Sequence, residues 1–219
     1  MALNGQKHAP RDRIACWCGR FLLALTIVLG CAGAPARALD EAAGGPKTTV
    51  TAFDTALQHA MRDAKKLGYQ GRYDLLAPAM QRAFDFPAMT RIATGSAWAK
   101  MTPEQQKALA DAFARFSIAT YANQFNDYDG EQFAVTEQKE SPQGMVVATV
   151  MKPAKGDAVR FNYLLHQAGD GWKIIDIYLD GSISQLAVRR GEFSAVLARS
   201  GPDGLLHLLE SRIKALAGS

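Results

Sequence analysis

Between Gly130 and Gly181 the spacing of apolar residues follows a strand period, and four short runs succeed one another with only turn-like connections. The runs are Gln132 to Gln138, Met145 to Met151, Ala158 to His166 and Trp172 to Leu179, separated by SPQG, KPAKGD and QAGDG. Connections this short leave no room for crossover helices, so the strands are expected to form a consecutive antiparallel meander. A meander with one wet face alternates cleanly between apolar and polar residues. These runs do not. MVVATVM is apolar on both parities, and FNYLLH places Phe161, Tyr163 and Leu165 on one face with Leu164 on the other. By the same count WKIIDIYLD places Ile175, Ile177 and Leu179 on one face and Trp172, Ile174 and Tyr178 on the opposite one. Something must cover or fill the second face. Either helices sandwich the sheet around a solid core, or a cavity between sheet and helices houses an apolar ligand.

Helical patterns flank the strands on both sides. Val50, Phe53, Leu57, Ala60 and Met61 recur on one face of a helix expected from about Lys47 to Lys66, punctuated by Gly68 and Gly71. A second helix is expected over Arg72 to Ala83, and a short one opened by Pro87 and closed by Gly95. In TPEQQ, Thr102 is placed to cap, Pro103 takes the first helical position, and Gln105 can complete a capping box. That helix is expected to reach about Asn126, with Leu109, Ala112, Phe113, Phe116, Thr120 and Asn123 on a shared face. The tail from Ser184 to about Leu216 is helical again and is broken by SGPDG. The expected class is α+β: amino-terminal helices, a four-stranded antiparallel meander and carboxy-terminal helices, enclosing either a solid core or an apolar cavity.

The first 38 residues differ from the rest. Lys7, Arg11, Arg13 and Arg20 precede an apolar core, Phe21 to Gly30, and Ala36 and Ala38 hold the small positions of a cleavage site. This is the pattern of a secretory signal peptide, so the chain is expected to be exported. An uncleaved anchor is the alternative, and VLGC offers a third outcome in which Cys31 is lipidated. Residues 39–46 are expected to be a flexible start, and residues 47–217 a single domain. The full chain carries 25 Lys and Arg against 21 Asp and Glu, but the leader holds five of the former and one of the latter. The remainder is therefore formally neutral, which removes the electrostatic basis for binding nucleic acid. Cys16, Cys18 and Cys31 all precede Ala38, so the mature chain has no disulfide, thiolate metal site or cysteine nucleophile.

Catalytic signals are few. Asp176 and Asp180 punctuate the last strand, but residues four apart in a strand lie roughly 13 Å from each other at about 3.3 Å per residue. Paired glycosidase carboxylates need about 5 to 9.5 Å. Asp180-Gly181 reads as a turn, with Ser182 or Ser184 capping the next helix. Asp176 reads as a strand carboxylate bonded to Arg160 or a loop amide, or alternatively as the base of a small hydrolase or isomerase. His59, His166 and His207 are far apart in sequence, so no helical metal-ligand pair is present. There is no G-x-S-x-G elbow, Walker loop or dinucleotide fingerprint, and no cofactor is expected.

From Phe84 to Leu216 the sequence resembles the MlaC family of periplasmic lipid-shuttling components of ABC-type phospholipid transport systems. The resemblance lies in FDFPAMTRIATGSAWAKMTPEQQKALADAFARFSIATYA and in GWKIIDIYLDGSISQLAVRRGEFSAVLARSGPDGLLHLL. DGSIS followed by AVRRGEF is closer to the hopanoid-associated HpnM branch than to the phospholipid branch. The resemblance implies a carrier that holds acyl chains between helices and sheet, has no enzymatic activity, and meets an inner-membrane ABC transporter complex and an outer-membrane partner. Burying a lipid of roughly 30 chain carbons offers on the order of 20 kcal/mol at about 0.8 kcal/mol per methylene. Ordering and cavity costs offset much of it. Strand parity and helix face give Phe113, Phe116, Val147, Phe161, Tyr163, Ile175, Ile177 and Leu179 as the expected lipid-binding lining. Tyr121 and Trp98 are candidates for the mouth, and Arg189 and Arg190 for a headgroup phosphate or a membrane partner. A purely structural adaptor with a filled core is the remaining alternative.

Overall fold

In the computed structural model residues 44–169 and 171–218 are described, so the leader, its cleavage site and Cys31 lie outside the described residues. The chain enters helix α1 at Pro46–Arg62, turns at Asp63 and continues into α2 at Ala64–Ala83. Gly68 interrupts α2 with φ 62° and ψ −173°, a region in which essentially only glycine sits without strain. The boundary expected at Gly68 and Gly71 is therefore a kink at Gly68 alone. Helix α3 spans Phe86–Thr94, capped by the Asp85 carboxylate, which accepts from the Ala88 N–H at 2.9 Å. A 3₁₀ turn, Gly95–Lys100, leads to α4 at Pro103–Gln124. Thr102 and Gln105 form the expected capping box, with bonds of 3.2 and 3.3 Å.

The strands are β1 (Gln132–Ser141), β2 (Gly144–Lys152), β3 (Val159–Ala168) and β4 (Gly171–Leu179), in sequence order and antiparallel. A fifth strand, β5 (Ile183–Ser184), pairs with β4 after the Asp180-Gly181 turn, so the sheet has five strands and not four. Two residues are too short to leave a period in the sequence. Helix α5, Gln185–Ala217, completes the chain and breaks at Gly201, whose φ of 64° and ψ of −169° repeat the Gly68 geometry. Pro202 follows as the first residue of the second half, where its missing N–H costs nothing.

Cross-strand partners share a face of a sheet. Val147 pairs with Tyr163 and Tyr163 with Ile177, while Thr149 pairs with Phe161 and Phe161 with Leu179. These residues form the face against which α1 packs. Ile174 pairs with Leu165 and Ile177 with Tyr163, so a bulge at Ile175 shifts the register. Ile174 and Ile177 therefore share a face, although strict alternation places them on opposite ones. An inserted residue breaks the two-residue period without marking it in composition. On the other face Val146, Ala148 and Val150 are half-buried, which accounts for the mixed parity of that strand.

The core runs from α1 to α5 through edge-to-face and stacked aromatic rings. Phe53 meets Phe84 at 4.9 Å, Phe84 meets Phe86 at 5.6 Å, Phe86 meets Phe113 at 6.3 Å, and Phe113 meets Phe193 at 5.7 Å. Such pairs contribute about 0.5–1.5 kcal/mol each beyond their buried area. Helix α4 is buried over a wider arc than its shared face implies, since Ile118, Ala119 and Ala122 are also enclosed. It is the central helix and forms one wall of the site.

Candidate lipid-binding cleft

Between α3, α4, the end of β4 and the start of α5 lies a cleft of about 180 Å³. Phe86, Phe113, Phe116, Phe161, Ile177 and Leu179 supply most of its apolar wall, with Met80 and Met89 behind them. Five of the eight residues expected as lining meet here: Phe113, Phe116, Phe161, Ile177 and Leu179. Val147, Tyr163 and Ile175 do not reach it and belong to the packed core. Val147 and Tyr163 sit farther along the sheet face, and Ile175 is displaced by the bulge. A wider groove of about 480 Å³ runs between the 3₁₀ turn and α5, but short and polar side chains such as Thr94, Ser96 and Ser194 line much of it.

The polar groups at the cleft are largely committed. Ser117 and Thr120 donate to the Phe113 and Phe116 carbonyls, both at 2.8 Å. Asp176, 7% exposed, accepts from its neighbour Ile177 N–H at 2.7 Å, from Leu186 N–H at 3.1 Å and from the Ser184 hydroxyl at 2.6 Å. Ser184 in turn accepts from Ala187 N–H at 2.8 Å, so it caps α5 while bonded to the strand. Asp176 thus fastens the first turn of α5 to β4. The carboxylate lies near helix N–H groups, where a negative charge is favourable. It meets backbone amides and Ser184 rather than Arg160. Asp176→Ala strands a buried N–H and a hydroxyl and is expected to cost about 2–3 kcal/mol in urea unfolding. Asp176→Asn, which keeps an acceptor oxygen, costs less.

The two arginines of the RR pair separate. Arg189 lines the cleft, its guanidinium 5.0 Å from the Phe116 ring centroid and 3.2 Å from Glu192. Arg190 lies instead beside Gly95, where an added Cβ would come within 3.4 Å of its guanidinium. Tyr121 lines the cleft, and burial, followed by the Asp54 charge, pushes its phenol up. Trp98 packs against the core and does not line the cleft. Among the described residues, no group of three His, Cys, Asp or Glu side chains is placed to hold a metal.

One buried group escaped the sequence reading. Asp54, 4% exposed, accepts from Tyr163 at 2.9 Å and Thr149 at 3.2 Å, joining α1 to β3 and β2. Burial raises its carboxyl to about 7, against the lowering effect of those two bonds. The signal was its position, four residues after Val50 and three before Leu57, on the apolar face of α1.

An α+β scaffold with an aromatic cleft between helices and sheet is a frame suited to binding an apolar group. The chain belongs to the MlaC family, whose model matches residues 51–211. Among solved structures it is similar to a phospholipid-binding protein from Ralstonia solanacearum determined in complex with a phospholipid, with 26% identity and a TM-score of 0.67 over 78% of this chain and 96% of that one. No functionally curated protein matches it. No helix among the described residues is long and apolar enough to cross a membrane.

Proposed function

We propose that this protein is a periplasmic lipid carrier, exported by its leader, that ferries a phospholipid or hopanoid-type lipid between an inner-membrane ABC transporter complex and an outer-membrane partner. The observation that carries this reading is the convergence of Phe113, Phe116, Phe161, Ile177 and Leu179 on one cleft, in a fold whose structural relative was determined with a phospholipid. Chains enter between α4 and the end of the sheet, and Val147, Tyr163 and Ile175 back the wall. DGSIS and AVRRGEF support a place in the hopanoid-associated branch of the family.

The cleft is smaller than the roughly 300–1,000 Å³ of ordinary small-molecule sites, so loading requires helices and sheet to part. The glycine breaks at Gly68 and Gly201 divide the two helices flanking α4 into segments that can shift separately. Fluorescent phospholipid in donor vesicles tests the proposal. The protein is expected to elute from gel filtration carrying the label and to pass it to acceptor vesicles. Protein that neither carries nor transfers label, with this lipid or a hopanoid, contradicts it.

A further inference from the structure

We infer that Asp54, Tyr163 and Thr149 form a polar stop at the inner end of the cleft, which limits the length of acyl chain the protein accepts. This assignment rests on the lipid-carrier reading and adds the determinant of chain length to it.

Two cross-strand rows of the sheet run from the cleft to this cluster. Leu179, Phe161, Thr149 and Val135 are successive partners across β4, β3, β2 and β1, so they stand side by side on one face. Leu179 and Phe161 line the cleft, whereas Val135 lines a second pocket, of about 70 Å³, between α1 and β1. Thr149 lies between the two and donates to the Asp54 carboxylate at 3.2 Å. The neighbouring row ends the same way. Ile177 lines the cleft, and its partner Tyr163 donates to the other carboxylate oxygen at 2.9 Å. Asp54 itself lines the second pocket beside Val135 and Gln58. A hydrocarbon chain that runs from the cleft along the helix-facing side of the sheet therefore meets the cluster before it reaches the second pocket.

The layer in front of the cluster is aromatic. Phe161 stacks on Tyr163 with centroids 6.4 Å apart, and Phe53 meets Tyr121 and Tyr163 edge-on at 5.6 and 6.1 Å. A chain that moves such rings apart replaces one set of apolar contacts with another. The cluster offers no such exchange. Asp54, Tyr163 and Thr149 are all buried, so parting them leaves a carboxyl group and two hydroxyls against hydrocarbon, away from water. Each methylene taken into the cleft raises affinity about fourfold. The first methylenes past the cluster return less than the orphaned groups cost, so chains are accepted up to it and not beyond.

The test offers delipidated protein mixed vesicles with equal amounts of dimyristoleoyl, dipalmitoleoyl, dioleoyl and dieicosenoyl phosphatidylglycerol, and reads the bound species by native mass spectrometry. Bilayer and cleft give an accommodated methylene the same apolar surroundings, so the bound distribution reports the methylenes that the cleft excludes. The wild type is expected to be depleted in the longest chains relative to the vesicles. Asp54→Leu combined with Tyr163→Phe and Thr149→Val replaces the cluster with apolar groups and leaves no orphan, so this variant is expected to fold. Its ratio of bound dieicosenoyl to dimyristoleoyl lipid should exceed that of the wild type at least about tenfold, two readmitted methylenes being enough. Thr149→Val alone, which keeps the Tyr163 bond, should raise the ratio less. Asp54→Asn, which keeps the shape and the polarity, should retain the wild-type depletion. Wild-type protein that carries all four lipids in vesicle proportion overturns the stop, whatever the variants do. An unchanged ratio in the folded triple variant overturns it too, as does an equal rise in Asp54→Asn, which would assign the limit to charge and not to the hydrogen-bonded cluster. Each of these leaves the carrier reading intact. Wild-type protein that binds none of the four lipids removes the stop together with the phospholipid reading.

Discussion

Between about pH 4 and pH 8 the protein is expected to lose roughly 4 kcal/mol of stability through one side chain, Asp54. The folded protein retains the Asp54 proton to about pH 7, whereas the unfolded chain releases it near the ordinary value of 3.8. Between those values the folded state binds more protons than the unfolded one, so stability falls as the pH rises and levels off above about 7. The cause is burial between α1 and the sheet, against the lowering effect of the Tyr163 and Thr149 hydrogen bonds. Asp54→Asn is isosteric and uncharged. It should match the wild type at pH 4 and exceed it at pH 8, and the difference between the two proteins removes the contributions of all other titrating groups. Urea unfolding across this range is the measurement. A constant difference between the two proteins would show that Asp54 ionises at no cost in the fold.

The second large effect concerns the cleft itself. Ser117 and Thr120 are half-buried on the α4 wall, and their hydroxyls bond only to carbonyls of the same helix. Replacing them with Phe and Trp adds bulk to a space of about 180 Å³ without orphaning another group. The double variant is expected to fold, since overpacking costs about 1–3 kcal/mol even in closed cores and this site opens to solvent. Its lipid affinity should drop at least about tenfold, because hydrocarbon that cannot enter forfeits about 0.8 kcal/mol per methylene. Circular dichroism and thermal unfolding report the fold, and lipid titration the affinity. Wild-type affinity in a correctly folded double variant would place the ligand elsewhere.

Much of the fold was legible because local signals agreed with tertiary packing. The Thr102-Pro103-Gln105 start, the Pro87 helix and the Gly201 break each act within one turn of chain and need no distant partner. Strand order was legible from the short connections. What escaped depends on pairing across the sheet. The bulge at Ile175 is defined only by its neighbours on β3, and it reassigned Ile174 to the face of Ile177. The two residues of β5 form a strand only because Tyr178 and Leu179 lie opposite them. Sheet parity could say that Val147 and Tyr163 face the helices, yet not where along that face packing leaves space. Asp176 was readable as a bonded carboxylate, but its partner Leu186 N–H lies ten residues on, past a turn whose geometry sequence does not give.

The central claim is that the aromatic cleft holds a lipid. Native mass spectrometry of the full-length protein expressed with its own leader and purified without detergent addresses it most directly. The account predicts a complex heavier than its polypeptide by the mass of one lipid, which dissociates on activation. A bare polypeptide mass, unchanged after incubation with phospholipid or hopanoid vesicles, would contradict it.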